Sequence, residues 1–345
     1  MTDPGAPLIE CVPNVSEGRD LQVIASLADA IAAVPAVRLL HVDAGVDAHR
    51  TVFTFAGPPE AVGDAAIALA RRVADLIDMR RHHGAHPRLG ALDVCPFVPV
   101  RGVSMTRCVA LARRVASTLA HDHALPVYLY EAAAFDDSRR SLPALRAGEF
   151  EGLHATLRDG GRVPDFGPCR PHPTLGAAIV GARPYLVAWN IALNTADVAV
   201  ARAIAARVRA SGLVVRHGAG APVRVPGRLP AVRAIGWGMP TYGHAQVSLN
   251  LLDLEATPMH VAYAAIADEA AAVGAQVMGS ELIGLVPLDA LRDVARAGDA
   301  HADLEPTDAD DVDLVERAVA LLGLGYVTPF RPRQRVLEWA LADCS

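Results

Sequence analysis

Hydrophobic and polar positions in the N-terminal half of the chain follow two periods. Short apolar or alternating runs predict strands, and longer stretches with apolar residues three and four positions apart predict helices. The predicted strands are 8–15, 37–42, 51–55 and 92–100, and the predicted helices are 20–33 and 59–80. Read in chain order they form β-α-β-β-α-β, the ferredoxin-like arrangement in which helices cover one face of a sheet.

The same order of elements recurs in the C-terminal half. A helix at 106–120 and a strand at 126–130 extend the first set, and a segment rich in glycine, proline and arginine follows at 136–176. Further elements are predicted at 184–193, 195–211, 231–237, 246–253, 258–273, 276–279, 288–297, 308–322 and 332–342. We expect an α/β (α+β) protein with two ferredoxin-like subdomains at 1–180 and 181–330, a groove between them, and a C-terminal helix or tail at 331–345.

Composition narrows the class of protein. No apolar run among the 345 residues is long enough to cross a bilayer, and the N-terminus lacks a basic-then-apolar signal segment, so we expect a cytoplasmic protein without a membrane partner. The net charge of −6, with dispersed arginines and 5% aromatic residues, argues against a nucleic-acid partner. The five cysteines are scattered and indicate neither a disulfide framework nor a cysteine zinc site.

Lysine is absent, so all 32 basic residues are arginine. This excludes Schiff-base chemistry on a lysine and a Walker phosphate loop. Anionic groups of a substrate must therefore be bound by arginine, histidine or backbone N–H groups.

Three histidines on one loop, His82, His83 and His86, are the clearest candidates for chemistry. They indicate a proton-transfer or metal site, because a histidine changes its charge near neutral pH and is a common metal ligand. His82 and His86 have the spacing of zinc ligands on a helix, but Gly84 lies between them and Pro87 disfavours a helix at His86. The glutamate of an HExxH motif is also missing, so a proton-handling histidine fits better than a metal ligand. Packing of the histidines within the loop is the alternative.

Several motifs resemble those of the formiminotransferase family, in order along nearly the whole chain. They include ECVPNVSEGRD (10–20), HVDAGVDAHRTVFTFAG (41–57), the histidine loop running into GALDVCPFVPVRG (90–102), PDFGPCRPHPTLGAAIVGAR (164–183) and ELIGLVPLDAL (281–291). The resemblance implies an enzyme of histidine breakdown that transfers a formimino group from N-formimino-L-glutamate to N5 of tetrahydrofolate. It also implies two ferredoxin-like subdomains, tetrahydrofolate as co-substrate, no metal, and a homodimer. Since this chain leaves no room for a cyclodeaminase domain, we expect its product to pass to a separate cyclodeaminase.

The resemblance also implies roles for particular residues. The catalytic histidine of the family motif HxGxHPR corresponds to His86. The sequence departs from the family at Ala85, where many members have glutamate, and at Cys169, Arg170 and His172, which replace smaller or apolar residues. The segment that corresponds to the folate-binding part of the family consists of Gly167, Pro168, Cys169, Arg170, Pro171, His172, Pro173, Thr174, Leu175 and Gly176.

Further candidates have two interpretations each. Asp43, placed by the pattern in a loop after a strand, could orient a histidine or meet the positively charged formimino group, or it could bond its own backbone as a turn aspartate. Arg50 and Arg88 are candidates for substrate carboxylates, which a guanidinium binds in bidentate fashion, or for structural ion pairs. His82 and His83 are expected to have supporting or structural roles.

Three functional hypotheses follow. The first is a formimidoyltransferase with His86 as general base, with either formiminoglutamate or a different formimino or formyl donor. The second is a hydrolase that uses the histidines on a metal or water. The third is a folate-binding relative with little activity.

Overall fold

The computed structural model describes residues 6–216, 221–298 and 308–342, and the chain divides into two compact units between Pro184 and Tyr185. The predicted boundary at 180 falls inside the last strand of the first unit. None of the described helices is long and apolar enough to cross a membrane.

The first unit contains seven strands and five helices in the described residues. They are β1 (Leu8–Cys11), β2 (Asn14–Val15), α1 (Leu21–Ala32), β3 (Arg38–Gly45), β4 (Arg50–Gly57), α2 (Pro59–Leu76), β5 (Leu92–Arg101), α3 (Met105–His123), β6 (Val127–Glu131), α4 (Leu142–Leu145), α5 (Glu149–Arg158) and β7 (Ala178–Ala182).

These strands form one mixed sheet. Its spatial order is β3, β4, the broken strand β1–β2, β5, β7, β6. Pairs from β3 to β5 are antiparallel, and β5, β7 and β6 are parallel. The first four strands in this spatial order, from β3 to β5, have the ferredoxin-like order, so the predicted fold class is confirmed. The strands β7 and β6 extend the sheet.

The two faces of this sheet differ in chemistry. Phe53 and Phe55 of β4 pack with residues of α1, α2 and α3 in the main core of the unit. Arg50 and Thr54 alternate with them and face the other way, because successive side chains of a strand point to opposite faces. Over β5, β6 and β7 this opposite face packs on residues of α4 and α5 such as Leu153. Arg50 and Thr54 of β4, together with Glu10 of β1, therefore lie on the face opposite the main core.

The second unit repeats the arrangement with its own core. Its elements are β8 (Val187–Leu193), α6 (Val198–Val208), β9 (Leu213–Val215), β10 (Val223–Val225), β11 (Val232–Met239), β12 (His244–Leu251), α7 (Met259–Ala272), β13 (Val277–Ile283), α8 (Leu288–Ala297), α9 (Asp308–Leu322), α10 (Pro332–Arg335) and α11 (Leu337–Ala342). The antiparallel sheet runs β11, β12, β8, β13, again the ferredoxin-like order, and β9 pairs with β10 in a separate hairpin. The segment expected as a separate tail joins this unit, since Val336 is buried in its core and bridges to Val286.

Three local predictions need correction. The helix expected to reach residue 80 ends at Leu76, because Ile77 adopts an extended conformation, and a 3-10 turn at Met79–Arg81 follows, capped by Asp78. Asp43 lies within β3 and not in the loop after a strand. The interval between the predicted elements 195–211 and 231–237 contains the strands β9 and β10, while residues 217–220 lie outside the described residues.

Glu10 on β1 generates a stability prediction. Its side chain is buried, and its Oε2 atom has no hydrogen-bond partner in the described part of the chain. Burial raises its pKa from 4.5 to about 7, although the charge of Arg183 opposes the shift. A raised carboxyl pKa stabilises the fold below pH 4.5, and this contribution is lost as pH rises to about 7. Each pKa unit corresponds to about 1.4 kcal/mol, so the loss approaches 3 kcal/mol.

We expect Glu10→Gln to remove this component of the pH dependence. Denaturant unfolding at pH 5 and pH 8 measures the free energy of unfolding of both proteins. The variant should gain stability relative to wild type, and this gain should be larger at pH 8 than at pH 5. The exposed Glu60 supplies the control variant Glu60→Gln. Equal effects of Glu10→Gln on stability at both pH values would contradict the raised pKa of Glu10.

Candidate active site

Both ends of the histidine loop are attached to the segment predicted to bind folate. Before the loop, the Met79 N–H donates to the Thr174 carbonyl at 2.8 Å, and after it the Ala91 N–H donates to the Leu175 carbonyl at 2.9 Å. A β-bridge joins Gly90 to Gly176. The two segments lie far apart in the sequence and share no motif, and the structure brings them together.

The predicted folate segment has an anchored half and an exposed half. His172 Nδ1 lies 3.1 Å from the Leu175 N–H, which donates to it, and Gly176 adopts a positive φ of 73° where a Cβ would lie 2.5 Å from the Leu89 carbonyl oxygen. In the other half, the side chains of Cys169 and Arg170 are exposed. A ligand could therefore meet a segment whose end is fixed to the sheet.

The middle of the histidine loop lies against the turn between β3 and β4. The Ala85 N–H donates to the Asp47 carbonyl at 3.0 Å. Gly84 approaches the same turn so closely that a Cβ would lie 2.2 Å from the Ala48 carbonyl oxygen. Glycine is thus required at position 84 by close approach of two backbones.

His82 is a structural link between the loop and this turn. It is 4% exposed, its Nε2–H donates to the His49 carbonyl at 2.7 Å, and its ring stacks on that of His49 with centroids 4.3 Å apart. Its Nδ1 accepts from Arg88 Nε–H at 3.2 Å. Both ring nitrogens are occupied, and burial lowers the pKa of His82. This fits the predicted supporting role, whereas His83 is exposed.

His86 lies on the polar face of the first sheet. Its Nδ1 is 2.8 Å from the carbonyl oxygen of Pro87 and 3.3 Å from Arg50 Nη1. Only a protonated Nδ1 can donate to a carbonyl, so we assign the ring proton to Nδ1 and the basic lone pair to Nε2. Burial, with the charges of Arg50 and Arg146, lowers the pKa of His86 well below its usual value of 6.5. The imidazole is therefore neutral at physiological pH.

A buried carboxylate organises the charges beside His86. Asp93 is fully buried, and its Oδ2 accepts from Arg50 Nη1 at 2.7 Å and from Arg146 Nη2 at 2.5 Å. Its Oδ1 accepts from the Leu89 N–H at 2.7 Å. Burial opposes ionisation of Asp93, but Arg146 and Arg50 outweigh it and lower the pKa of the carboxyl. We call Asp93, Arg50 and Arg146 the arginine–aspartate cluster.

Arg50, a sequence-predicted candidate for a substrate carboxylate, has protein partners. Besides its bond to Asp93, it donates from Nε to Asn14 Oδ1 at 2.9 Å. Burial lowers the pKa of Arg50 to about 10, so it remains charged at neutral pH.

Arg88, the other candidate, is also held within the protein. Its guanidinium donates to the carboxylates of Glu149, at 3.0 Å, and Glu151, at 2.6 Å. These contacts agree with the structural ion-pair interpretation of both arginines. Direct binding of substrate by either one stays a prediction.

Asp43 occupies the same face of the sheet as Arg50. In the β3–β4 register it pairs with Val52, two positions from Arg50, and its Oδ2 lies 3.5 Å from His41 Nε2. Its expected catalytic role stays a prediction.

Sequence reasoning missed two members of the cluster. Asp93 carried a usable signal, since it is a single charged residue within the apolar run of β5 and a buried charge needs a partner. Arg146, just after α4 and 53 positions along the chain from Asp93, carried no comparable signal.

Two ferredoxin-like units, with a histidine loop attached to a glycine-containing segment in the first, define a two-subdomain α/β protein. Comparison with family models gives a specific match. The N-terminal subdomain of the formiminotransferase domain matches residues 8–183, and the formiminotransferase domain matches residues 188–342. The chain belongs to the formiminotransferase family, which confirms the resemblance found in the sequence.

Known relatives support the same family. The chain is 45% identical over 337 residues to formimidoyltransferase-cyclodeaminase of Rattus norvegicus, covering 97% of this chain and 60% of that protein. It is 37% identical over 290 residues to glutamate formimidoyltransferase of Streptococcus pyogenes serotype M1, covering 84% and 92%. The corresponding enzyme of Thermoplasma acidophilum is 38% identical over 291 residues, covering 84% and 91%. The chain thus spans about three-fifths of the longer relatives' length.

The close approach at Gly84 predicts an effect of substitution on stability. Gly84→Ala should destabilise the first unit by about 1–3 kcal/mol, the usual cost of inserting an atom where there is no space. Gly152→Ala is a matched control, because a Cβ added to Gly152 in α5 would have no atom of the described residues within 4 Å and alanine favours a helix. Denaturant unfolding of both variants checks this. A Gly84→Ala variant as stable as the control would show that the loop does not lie against the 46–49 turn.

Proposed function

We propose that this protein transfers the formimino group of N-formimino-L-glutamate to N5 of tetrahydrofolate, yielding 5-formimino-tetrahydrofolate and glutamate. The observation that carries the proposal is the attachment of the His86 loop to the segment 167–176. The relatives from Streptococcus pyogenes and Thermoplasma acidophilum, which match 84% of this chain, are named glutamate formimidoyltransferase. Tetrahydrofolate is a co-substrate in this proposal.

His86 serves as the general base through Nε2. N5 of tetrahydrofolate attacks the formimino carbon and forms a tetrahedral adduct, and the N5 proton moves to Nε2. The imidazolium then returns this proton to the glutamate nitrogen as the bond between that nitrogen and the formimino carbon breaks. A histidine with a lowered pKa is ready in its basic form, and its conjugate acid is strong enough to protonate a leaving amine.

The environment of His86 fits these two roles. Its Nδ1–H bond to Pro87 keeps Nε2 as the basic nitrogen in each turnover. Binding the two substrates in one site would supply a large share of the rate enhancement, because it converts a bimolecular reaction into a unimolecular one.

The wider assignment follows from the same proposal. The longer relatives are named formimidoyltransferase-cyclodeaminase. We propose that a cyclodeaminase also consumes the 5-formimino-tetrahydrofolate that this protein forms. A role in histidine degradation, a cytoplasmic location and a homodimer are parts of this proposal.

The direct test is formation of the folate adduct from tetrahydrofolate and formiminoglutamate. We expect His86→Ala to lower kcat by about 10²–10⁴-fold, the usual contribution of general acid–base catalysis. His83→Ala, at an exposed position of the same loop, should leave kcat within about twofold of wild type.

Two outcomes would contradict the proposal. If formiminoglutamate yields no adduct while another formimino or formyl donor does, the donor assignment is wrong. If His86→Ala turns over as fast as wild type, His86 is not the base.

The lowered pKa of His86 predicts the pH dependence of the free enzyme. Activity requires the neutral ring, so kcat/KM should fall as pH decreases through the pKa of His86. The midpoint of this fall should lie below pH 6.5, because the pKa is lowered from that value. A kcat/KM profile between pH 4.5 and pH 8, normalised to the fraction folded, measures it. A midpoint at or above 6.5 would mean that the fall does not report His86 in this environment.

A further inference from the structure

The arginine–aspartate cluster carries an excess of positive charge. Two guanidinium groups, those of Arg50 and Arg146, share one carboxylate, that of Asp93. Within the cluster the two guanidinium groups therefore outnumber the carboxylate. A local excess of positive charge favours the binding of an anion.

The hydrogen bonds show which arginine can take this anion. Arg50 donates to Asp93 and Asn14, and Arg88 donates to Glu149 and Glu151. Arg146 differs, since Nη2 donates to Asp93 while its buried Nε–H has no acceptor among the residues that the structure describes. An unmet buried donor is unfavourable, and an ionised acceptor would satisfy it with a strong, charge-assisted bond.

Arg146 is linked to the side chain of the proposed base through Asp93 and Arg50. Asp93 Oδ2 is 2.5 Å from Arg146 Nη2 and 2.7 Å from Arg50 Nη1, and Arg50 Nη1 is 3.3 Å from His86 Nδ1. In formiminoglutamate, three bonds separate the formimino carbon from the carbon of the α-carboxylate, whereas the γ-carboxylate is farther along the chain. A carboxylate on Arg146 can therefore belong to the reacting end of the donor.

Resting on the proposed function, we propose that Arg146 binds the α-carboxylate of the donor and so determines specificity for an α-amino acid derivative. Arg50 and Asp93 act as positioning residues that hold its guanidinium beside His86. The bound carboxylate also supplies the negative charge that the cluster lacks.

Donor binding then changes His86 itself. Burial and, after it, the charges of Arg50 and Arg146 lower the pKa of His86 in the free protein, while the charge of Asp93 opposes the shift. A carboxylate placed on Arg146 offsets the contribution of the arginines. His86 becomes a stronger base when the donor is present. The acid limb of kcat, which reports the enzyme–substrate complex, should therefore lie at higher pH than that of kcat/KM, which reports the free enzyme.

The test pairs changes in the protein with changes in the donor. Donors are formiminoglutamate, the formimino derivative of γ-aminobutyrate, which lacks the α-carboxylate, and that of L-2-aminobutyrate, which lacks the γ-carboxylate. In wild type, loss of the α-carboxylate should lower kcat/KM by about 10- to 100-fold, the range for a hydrogen bond to a charged group. Arg146→Gln should cause a similar loss with both α-carboxylate donors and almost none with the γ-aminobutyrate derivative.

Control variants separate binding from folding. Arg140→Gln changes an exposed arginine of the same segment and should leave all three donors unaffected. Arg146→Lys keeps the charge beside Asp93 and should restore part of the lost activity. The KM for tetrahydrofolate should stay unchanged in every variant whose unfolding transition matches wild type.

A second readout does not depend on turnover. Titration of the His86 ring proton by NMR should give a higher pKa in Arg146→Gln than in wild type, because a neighbouring positive charge is removed. Saturating glutamate should raise the His86 pKa in wild type and leave it unchanged in Arg146→Gln.

Opposite results are distinguishable. If Arg146→Gln slows all three donors equally, or if glutamate shifts His86 in both proteins, Arg146 does not bind the α-carboxylate, although the transferase proposal stands. If wild type forms no adduct with any formimino donor, the proposed function itself fails.

Discussion

The buried carboxylate of Asp93 is the interaction on which the arrangement of the first unit depends. It lies at the start of β5 and joins β4 through Arg50, the turn after α4 through Arg146, and the histidine loop through the Leu89 N–H. Each of these segments would otherwise place a charge or an unmet donor in a buried region, which is strongly unfavourable. One side chain therefore determines the position of three segments that meet at His86.

The environment of His86 reflects a compromise between binding and basicity. Arginines that can bind an anionic substrate also disfavour protonation of a nearby imidazole. Asp93 limits this effect, because its charge counteracts that of the two guanidiniums at His86. The site thus combines an arginine pair with a histidine that is neutral in the resting protein.

Much of the fold could be predicted from the sequence, because the elements that bury one face carry a clear hydrophobic period. The alternation of Phe53 and Phe55 with Arg50 and Thr54 is one example, and both ferredoxin-like orders follow from such patterns. The position of β7 could not be predicted, since its insertion between β5 and β6 depends on pairing between distant strands. For the same reason Arg146 could not be predicted, since its significance arises only from its contact with Asp93. The sequence did indicate His86 and the segment 167–176.

The place of β7 in the sheet links the formation of the site to the completion of the fold. In the described residues, β6 pairs with the sheet through β7, and β7 is the last strand of its unit to emerge in chain order. The segment 167–176 leads directly into β7, so its contacts with the histidine loop involve residues that follow β5 and β6 in the chain. A chain that ended after β5 would contain His86 and Asp93 but neither Arg146 nor the segment 167–176. The contacts around the histidine loop are therefore completed by the part of the first unit that is synthesised last.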